Sequence, residues 1–456
     1  MEHIKLLDQI IPGYAEKFLL GQIGQEEMPL LAAVEKKYLS EINKSAINNI
    51  YILACQHMLE PQLRMFNLFI KAGINASHIM ILPKVYSSNE KIINELIKIG
   101  CNVRLQALAF DVNESFDNFH RQQCRDLIKQ AVNYIPSTSK LIILDDGGML
   151  LDEFAKCKAH QYFMSGVFGV EQTNSGKNIL LNKNLPLLIT SVASSIEKIE
   201  IETRYIIRHS LSRIEEYFAS ENISKEVGIL ILGRGPIGKA LIDALLRSGY
   251  RCDSYDKIDG KFKINLSDYD VIIGATGSNS LKINQLSLLK QGCHLISVSS
   301  SDREFSADHI RRNSISGRAV HDTFVYKNND IKIVNGGFPI TFKGCRFECF
   351  PREIDVTIMK LCEAVFHHVL ETTKIDSSVN HLYGEKKLYN FGPLISSYFT
   401  LLMITCLLKL IFYGFVDQPP AWIMFLAAFI LAYGCIPSIW FIKYTKKLGL
   451  FVVKKV

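Results

Sequence analysis

The sequence predicts an α/β protein of two doubly wound parallel sheets followed by a C-terminal hairpin of two membrane-crossing helices. Three observations carry this expectation. Short aliphatic and β-branched runs alternate with amphipathic segments through residues 1–375. The apolar run VGILIL (227–232) ends in GRGPIG (233–238) and leads into a helical pattern. Two long apolar stretches, 394–416 and 422–442, are separated only by DQPP (417–420).

In the first half, apolar runs at 50–55, 78–82, 103–108 and 141–144 read as strands, and 90–99 reads as an amphipathic helix. LIILDDGGML (141–150) closes a strand with two carboxylates and two glycines. Carboxylates at the carboxyl end of a parallel strand point into the ligand crevice of such a sheet. These segments define a first α/β domain over 1–195, completed by about 338–375.

The second domain, 196–337, carries a stronger signal. The run 227–232 is a strand, KALIDALLR (239–247) has helical periodicity, and RCDSYD (251–256) is a second strand ending in Asp256. Glycines after a first strand let backbone approach a pyrophosphate, and the following helix N-terminus offers N–H donors. A carboxylate some 20 residues on accepts ribose hydroxyls and would repel a 2′-phosphate. The segment therefore reads as a Rossmann-like NAD site, with Gly233, Arg234, Gly235, Ile237, Gly238 and Asp256 as candidate contacts. Arg234 either reaches a phosphate or crowds the loop. DVIIGATG (270–277) and HLISVSS (294–300) supply further strands, whose ends bring Thr276, Gly277, Ser299 and Ser300 toward the same ligand.

Bulk properties narrow the class. The formal charge is +7 over 456 residues, and five lysines fall in the last fourteen, so most of the excess is a local tail. No basic stripe with interleaved aromatics occurs elsewhere, which points away from nucleic acid. Eleven cysteines lie scattered without metal-ligand spacing, so reduced thiols and no metal site are expected. The N-terminal stretch MEHIKLLDQIIPGYAEKF has charges where a signal peptide needs an apolar core.

Each C-terminal apolar stretch is long enough to cross about 30 Å of hydrocarbon. The only charge in either is Lys409, and both tryptophans, Trp422 and Trp440, flank the second stretch. The expected organisation is a linker at 376–391, a transmembrane hairpin at 392–443 contacting the lipid bilayer, and a basic tail at 444–456. Lys386 and Lys387 before the hairpin and the lysines after it place both termini and the soluble body in the cytoplasm.

Over residues 20–370 the chain resembles adenosylhomocysteinase, the NAD-dependent hydrolase of S-adenosylhomocysteine. EEMPLLAAVEKKY (26–38), ACQHM (54–58), ILDDGG (143–148), GVEQTNSG (169–176), GRGPIG and ATG (275–277) match that family's motifs in order. The resemblance implies that bound NAD takes hydride from a ribose carbon while protein acids and bases handle protons. It implies catalytic roles for His57, Asp146, Lys198 and Glu202, and NAD contacts for Thr173, Asn174 and Ser175. Read from the residues alone, Lys198 and Glu202 are also compatible with an ordinary i,i+4 surface pair.

The departures cluster. Leu59 and Pro61 stand where the family recognises adenine, and Gln172 replaces an acid that holds ribose hydroxyls. Ser300 replaces a histidine beside the nicotinamide, and ITFKGCRFECF (340–350) carries Thr341 and Glu348 in place of an asparagine and a histidine. Each lost partner costs about 1–3 kcal/mol of recognition. The resulting expectation is a membrane-tethered, NAD-binding protein that oxidises a hydroxyl of a small molecule other than S-adenosylhomocysteine. A non-catalytic NAD sensor or scaffold at a membrane and a slow true adenosylhomocysteinase are the alternatives. The family's basic closing tail, exchanged between subunits, is replaced by the hairpin, which leaves a homo-oligomer open.

Overall fold

A computed structural model describes residues 3–42, 47–181, 183 and 185–370. The predicted linker, hairpin and basic tail lie outside these residues. Among the described residues no helix is long and apolar enough to cross a membrane.

The first sheet contains β1 (Ile50–Met58), β2 (Ile79–Ser88), β3 (Asn102–Val103), β4 (Lys140–Asp145), β5 (Val167–Glu171) and β6 (Leu188–Ser191). Its order is β3-β2-β1-β4-β5-β6, parallel throughout. β1 and β4 are central and buried almost end to end, which is why they read as continuous apolar runs rather than alternating ones. Helices α1 (Tyr14–Leu19), α2 (Pro29–Glu41), α3 (Glu60–Ala72) and α4 (Glu90–Ile99) precede α5 (Phe116–Tyr134), α6 (Met149–Lys156) and α7 (Asn174–Leu180). Ile52, Ala54, Ile142 and Leu144 pack on the side of α2, α3 and α4; Leu53, Cys55, Leu141 and Ile143 pack on the side of α5 and α6. The Asn89 carboxamide caps α4 by accepting from the Lys91 and Ile92 N–H groups, and Gly100 ends it at φ 107°.

One strand differs from its expected extent. The run 103–108 pairs only over Asn102–Val103, and Leu105–Leu108 form a 3₁₀ turn. The strand is an edge, and the Arg104 side chain turns from it to Gln123 Oε1 at 2.9 Å. With a partner on one side only, the apolar run has little to hold it extended.

The second sheet is β7 (Ile229–Leu232), β8 (Cys252–Tyr255), β9 (Val271–Gly274), β10 (His294–Ser297), β11 (Ser314–Ser316), β12 (Phe324–Tyr326) and β13 (Lys332–Ile333). The order is β11-β12-β13-β10-β9-β7-β8, parallel from β8 to β13, with an antiparallel edge of β12 and β11. Helix α8 (Ile196–Ser220) joins the sheets, α9 (Pro236–Arg247) follows β7, and α10 (Ala307–Arg312) follows β10. The last described helix, α11 (Pro351–Leu370), returns to the first sheet and packs on α2, α3 and α8. Its Asp355 carboxylate accepts from Leu30 N at 2.9 Å and Leu31 N at 3.0 Å, satisfying donors of the first turn of α2.

Each sheet reverses its winding at one place, between β1 and β4 in the first and between β7 and β9 in the second. The crevice at such a switch point is where sheets of this type bind ligands.

Candidate functional site

At the first switch point His57 lies near the end of β1 and Asp146 directly follows β4. His57 Nε2 is 3.4 Å from Asp146 Oδ2, and its Nδ1 hydrogen-bonds Ser87 Oγ at the end of β2. The Phe342 ring stacks on the imidazole at 4.9 Å and 16°. Tyr86, stacked on Phe338 at 4.9 Å, meets the same imidazole edge-on. Asp146 Oδ1 pairs with the buried Lys84 ammonium. Burial works against the Asp146 carboxylate, yet Lys84 and His57 outweigh it and hold it below the ordinary range. Burial pushes His57 down to about 4, so its imidazole is neutral at physiological pH.

Across the crevice, α8 presents Lys198 and Glu202 with Nζ to Oε2 at 2.8 Å. This is not a surface pair: Lys198 is 8% exposed and both residues line the cavity. The second Glu202 oxygen accepts from Thr357 of α11. The enclosed space is about 230 Å³, and Leu59, Ile206, Val298 and Ile354 supply much of its apolar wall. Gln172, Thr341 and Glu348 also line it, and Ser300 lines it from the second sheet. The structure thus brings His57, Asp146, Lys198, Glu202, Thr173 and Ser300 together.

The glycine loop lies at the second switch point. Gly233 has φ 100°, and a Cβ there would meet Ala275 O at 2.9 Å. A Cβ on Gly238 would fall 1.9 Å from Gly233 O, so the turn and α9 approach too closely for any side chain. Gly235 is different: nothing lies within 4 Å of its would-be Cβ. That open space in front of the α9 N-terminus is what a pyrophosphate needs. The Asp256 carboxylate follows β8 and accepts from Arg234 N at 2.6 Å. Loop, open position and acid fit a dinucleotide, with Gly233, Gly235, Gly238 and Asp256 as the residues that would hold it.

Other candidates have different places. The Arg234 guanidinium pairs with Asp259 beside the loop. Pro236 is the first residue of α9, where no N–H is required, and Ile237 packs toward the core under that helix. Thr276 N and Gly277 N donate to Glu304 Oε1 at 2.7 and 2.6 Å, and Ser299 Oγ donates to it at 2.5 Å. These donors hold the loop to an internal carboxylate instead of facing outward. Thr173 caps α7 and donates to Glu171 Oε1 at 2.7 and 2.8 Å. Ser175 accepts from Arg303, which also pairs with Asp117 and so ties the two sheets together. Asn174 is exposed on the first turn of α7.

Four functional side chains escaped the sequence reading: Lys84, Ser87, Glu304 and Thr357. A signal existed for the first, since Lys84 is the only charge in the strand IMILPKVYSS. Glu304 sits in a polar run, SSSDRE, that reads as loop; nothing local says its carboxylate turns inward.

No protein-family model matches the chain. It is 29% identical over 362 residues to an uncharacterized protein of Mycobacterium tuberculosis, seen in two strains, covering 77% of this chain and 70% of that protein. Among solved structures, it resembles an NAD⁺-bound 3-phosphoglycerate dehydrogenase of Entamoeba histolytica with a TM-score of 0.37 and 8% identity, over 73% of this chain and 99% of that one. It also resembles a D-isomer specific 2-hydroxyacid dehydrogenase of Lactobacillus delbrueckii ssp. bulgaricus, in an NAD-complexed form, with a TM-score of 0.30 and 12% identity, over 73% and 100%.

Proposed function

We propose that this chain is an NAD-dependent enzyme of adenosylhomocysteinase-like design that oxidises a hydroxyl of an uncharged small molecule at a membrane surface. The observation that carries the reading is convergence: Lys198–Glu202 and His57–Asp146 face one cavity from opposite walls. Bound NAD supplies the hydride acceptor that no side chain offers. Lys198 Nζ and Glu202 Oε2, 2.8 Å apart, take up the hydroxyl proton, and Thr357 orients the glutamate. Asp146, ionised and held by Lys84, and His57 beside it stand as hydrogen-bond partners for a second polar group of the substrate.

The charge balance of the cavity supports an uncharged substrate. Lys198 is matched by Glu202, Lys84 by Asp146, Arg208 by Glu353, which also hydrogen-bonds His209, and Arg213 by Glu348 at 3.7 Å. Among the described residues lining or backing the cavity, each of these cations has its carboxylate, so a phosphate or carboxylate ligand would find no counter-charge. Attachment to a bilayer rests on the apolar stretches within 392–443 and their flanking lysines. The full-length chain, extracted in mild detergent, should reduce added NAD with one member of a panel of neutral hydroxylated compounds that includes adenosine, and Lys198→Ala should abolish that reduction while NAD still binds. A panel without turnover, with NAD bound, favours a second reading, a non-catalytic NAD sensor. That reading is supported by Gln172 and Ser300, which line the cavity where the resemblance leads one to expect an acid and a histidine.

A further inference from the structure

Lys84 is an expensive residue to place where it is. It is 5% exposed and is the only charged residue of β2. What it touches explains it. Lys84 Nζ pairs with Asp146 Oδ1, Asp146 Oδ2 faces His57 Nε2 at 3.4 Å, and His57 Nδ1 meets Ser87 Oγ, which is fully buried. Four groups from β2, β4 and β1 form one continuous chain of contacts at the first switch point.

Proton counting within that chain leaves one arrangement. One buried ammonium is balanced by one carboxylate; a protonated imidazole would add a second, unbalanced positive charge. His57 is then neutral, with its proton on Nε2 facing the carboxylate, and Nδ1 accepts from the Ser87 hydroxyl. The other charged or titratable neighbours do not upset this count. Asp145 and Glu171 lie beside Asp146 on β4 and β5; burial raises both, and Asp145, at about 6, acts on Lys84 and Asp146 rather than on His57. Lys198 across the cavity is matched by Glu202, and Arg303 by Asp117. His120 on α5 is driven by burial to about 3, and the Cys55 thiol and Tyr86 phenol are pushed up.

We infer that Lys84 is a positioning residue: its ammonium balances the Asp146 carboxylate, which then fixes the proton of the buried, neutral His57 on Nε2 without drawing a second proton onto the imidazole, the state that the reaction starts from. The catalytic meaning of this state rests on the proposed function, but the state itself is measurable without turnover. Removing the ammonium leaves the carboxylate and imidazole to share a proton as an ordinary ion pair.

The test is NMR titration of the detergent-solubilised full chain labelled at histidine ¹³Cε1, with His57 assigned from a His57→Gln variant. In the wild type the His57 signal should stay at its neutral position from pH 8 down to pH 5.5. In Lys84→Met it should titrate about one pH unit or more above the wild type, a tenfold or greater gain in proton affinity. In Lys84→Arg, which keeps the charge, it should remain neutral. A wild-type His57 that titrates above pH 6, or one that behaves alike in Lys84→Met and wild type, overturns the inference. A His57 that titrates above pH 6 in Lys84→Arg overturns the inference even if Lys84→Met does not fold. Should the shift follow Lys84 while no hydroxyl compound is oxidised, the inference stands and the catalytic reading falls.

Discussion

Two alanine substitutions three residues apart should have opposite effects on stability, and only one of them should act through the cofactor. Gly235 has φ −64° and ψ −176°, which any L-residue adopts, and its Cβ would meet nothing within 4 Å. Gly235→Ala should therefore leave the fold intact and raise stability by about 0.4–1 kcal/mol through the unfolded chain. The methyl group would stand in the open space before α9, where a pyrophosphate has to lie. Overpacking of about 1–3 kcal/mol would weaken NAD binding roughly 5- to 150-fold. Gly238→Ala puts a carbon 1.9 Å from Gly233 O, so the loop has to open. The expected loss is about 3 kcal/mol or more of stability, the upper end of overpacking. Urea unfolding and isothermal titration of NAD into each full-length variant give both quantities. If Gly235→Ala binds NAD as tightly as the wild type, the pyrophosphate does not sit at this helix N-terminus and the loop's glycines serve packing alone.

Further outcomes are expected. Lys198→Ala should lower the rate of NAD reduction about 10²–10⁴-fold with NAD affinity unchanged, read by nicotinamide absorbance and by titration calorimetry. Glu304→Ala strips the acceptor from Thr276 N, Gly277 N and two hydroxyls, and should cost about 2–4 kcal/mol in urea unfolding. Asp145→Asn should flatten part of the stability–pH curve. Burial raises Asp145 to about 6, so the neutral form is favoured in the fold; stability is lost as pH rises from about 4 to 6, and the asparagine variant should not lose it. Full-length protein should resist alkaline extraction from membranes, whereas release by alkali would remove the case for spanning helices within 392–443.

What could be read from the sequence divides along physical lines. Central parallel strands are continuous apolar runs because both faces are covered, so β1, β4 and β9 are visible without any structure. Edge strands lose that signature, and 103–108 was legible as apolar without revealing that only two of its residues pair. Glycines in the 233–238 loop declare themselves because close approach forbids a side chain; which of them faces a ligand depends on the open space at Gly235, a tertiary fact. His57, Asp146, Lys198 and Glu202 were reached through ordered motifs. Lys84 and Ser87 were not, since both belong to a strand whose contribution is fixed only by the pairing of β2 with β1. Thr357 lies 155 residues from its partner Glu202, a distance that no local pattern spans.

The replaced recognition corner has a structural use that bears on which substrate can fit. The resemblance leads one to expect a ligand-facing histidine where this chain has Glu348. Here Glu348 Oε1 accepts from Lys343 N at 2.5 Å and Cys345 N at 2.7 Å, which closes the turn 343–348 against the cavity, and Arg213 approaches the other oxygen at 3.7 Å. The carboxylate is therefore chiefly a clasp on its own loop. Glu348→Ala would leave two backbone donors of a partly exposed turn without their partner, at a cost of about 1–2 kcal/mol. The turn carries Phe342 on its leading edge, and Phe342 stacks on His57, so loosening it should also disturb the imidazole. Glu348→Gln keeps an acceptor oxygen and should retain most of the stability and the His57 environment. If Glu348→Ala instead proves as stable as the wild type and His57 is unmoved by NMR, the clasp is dispensable. Glu348 would then have to be read as a group kept free for a hydrogen-bond donor on the substrate, and the search would turn to amino-bearing compounds.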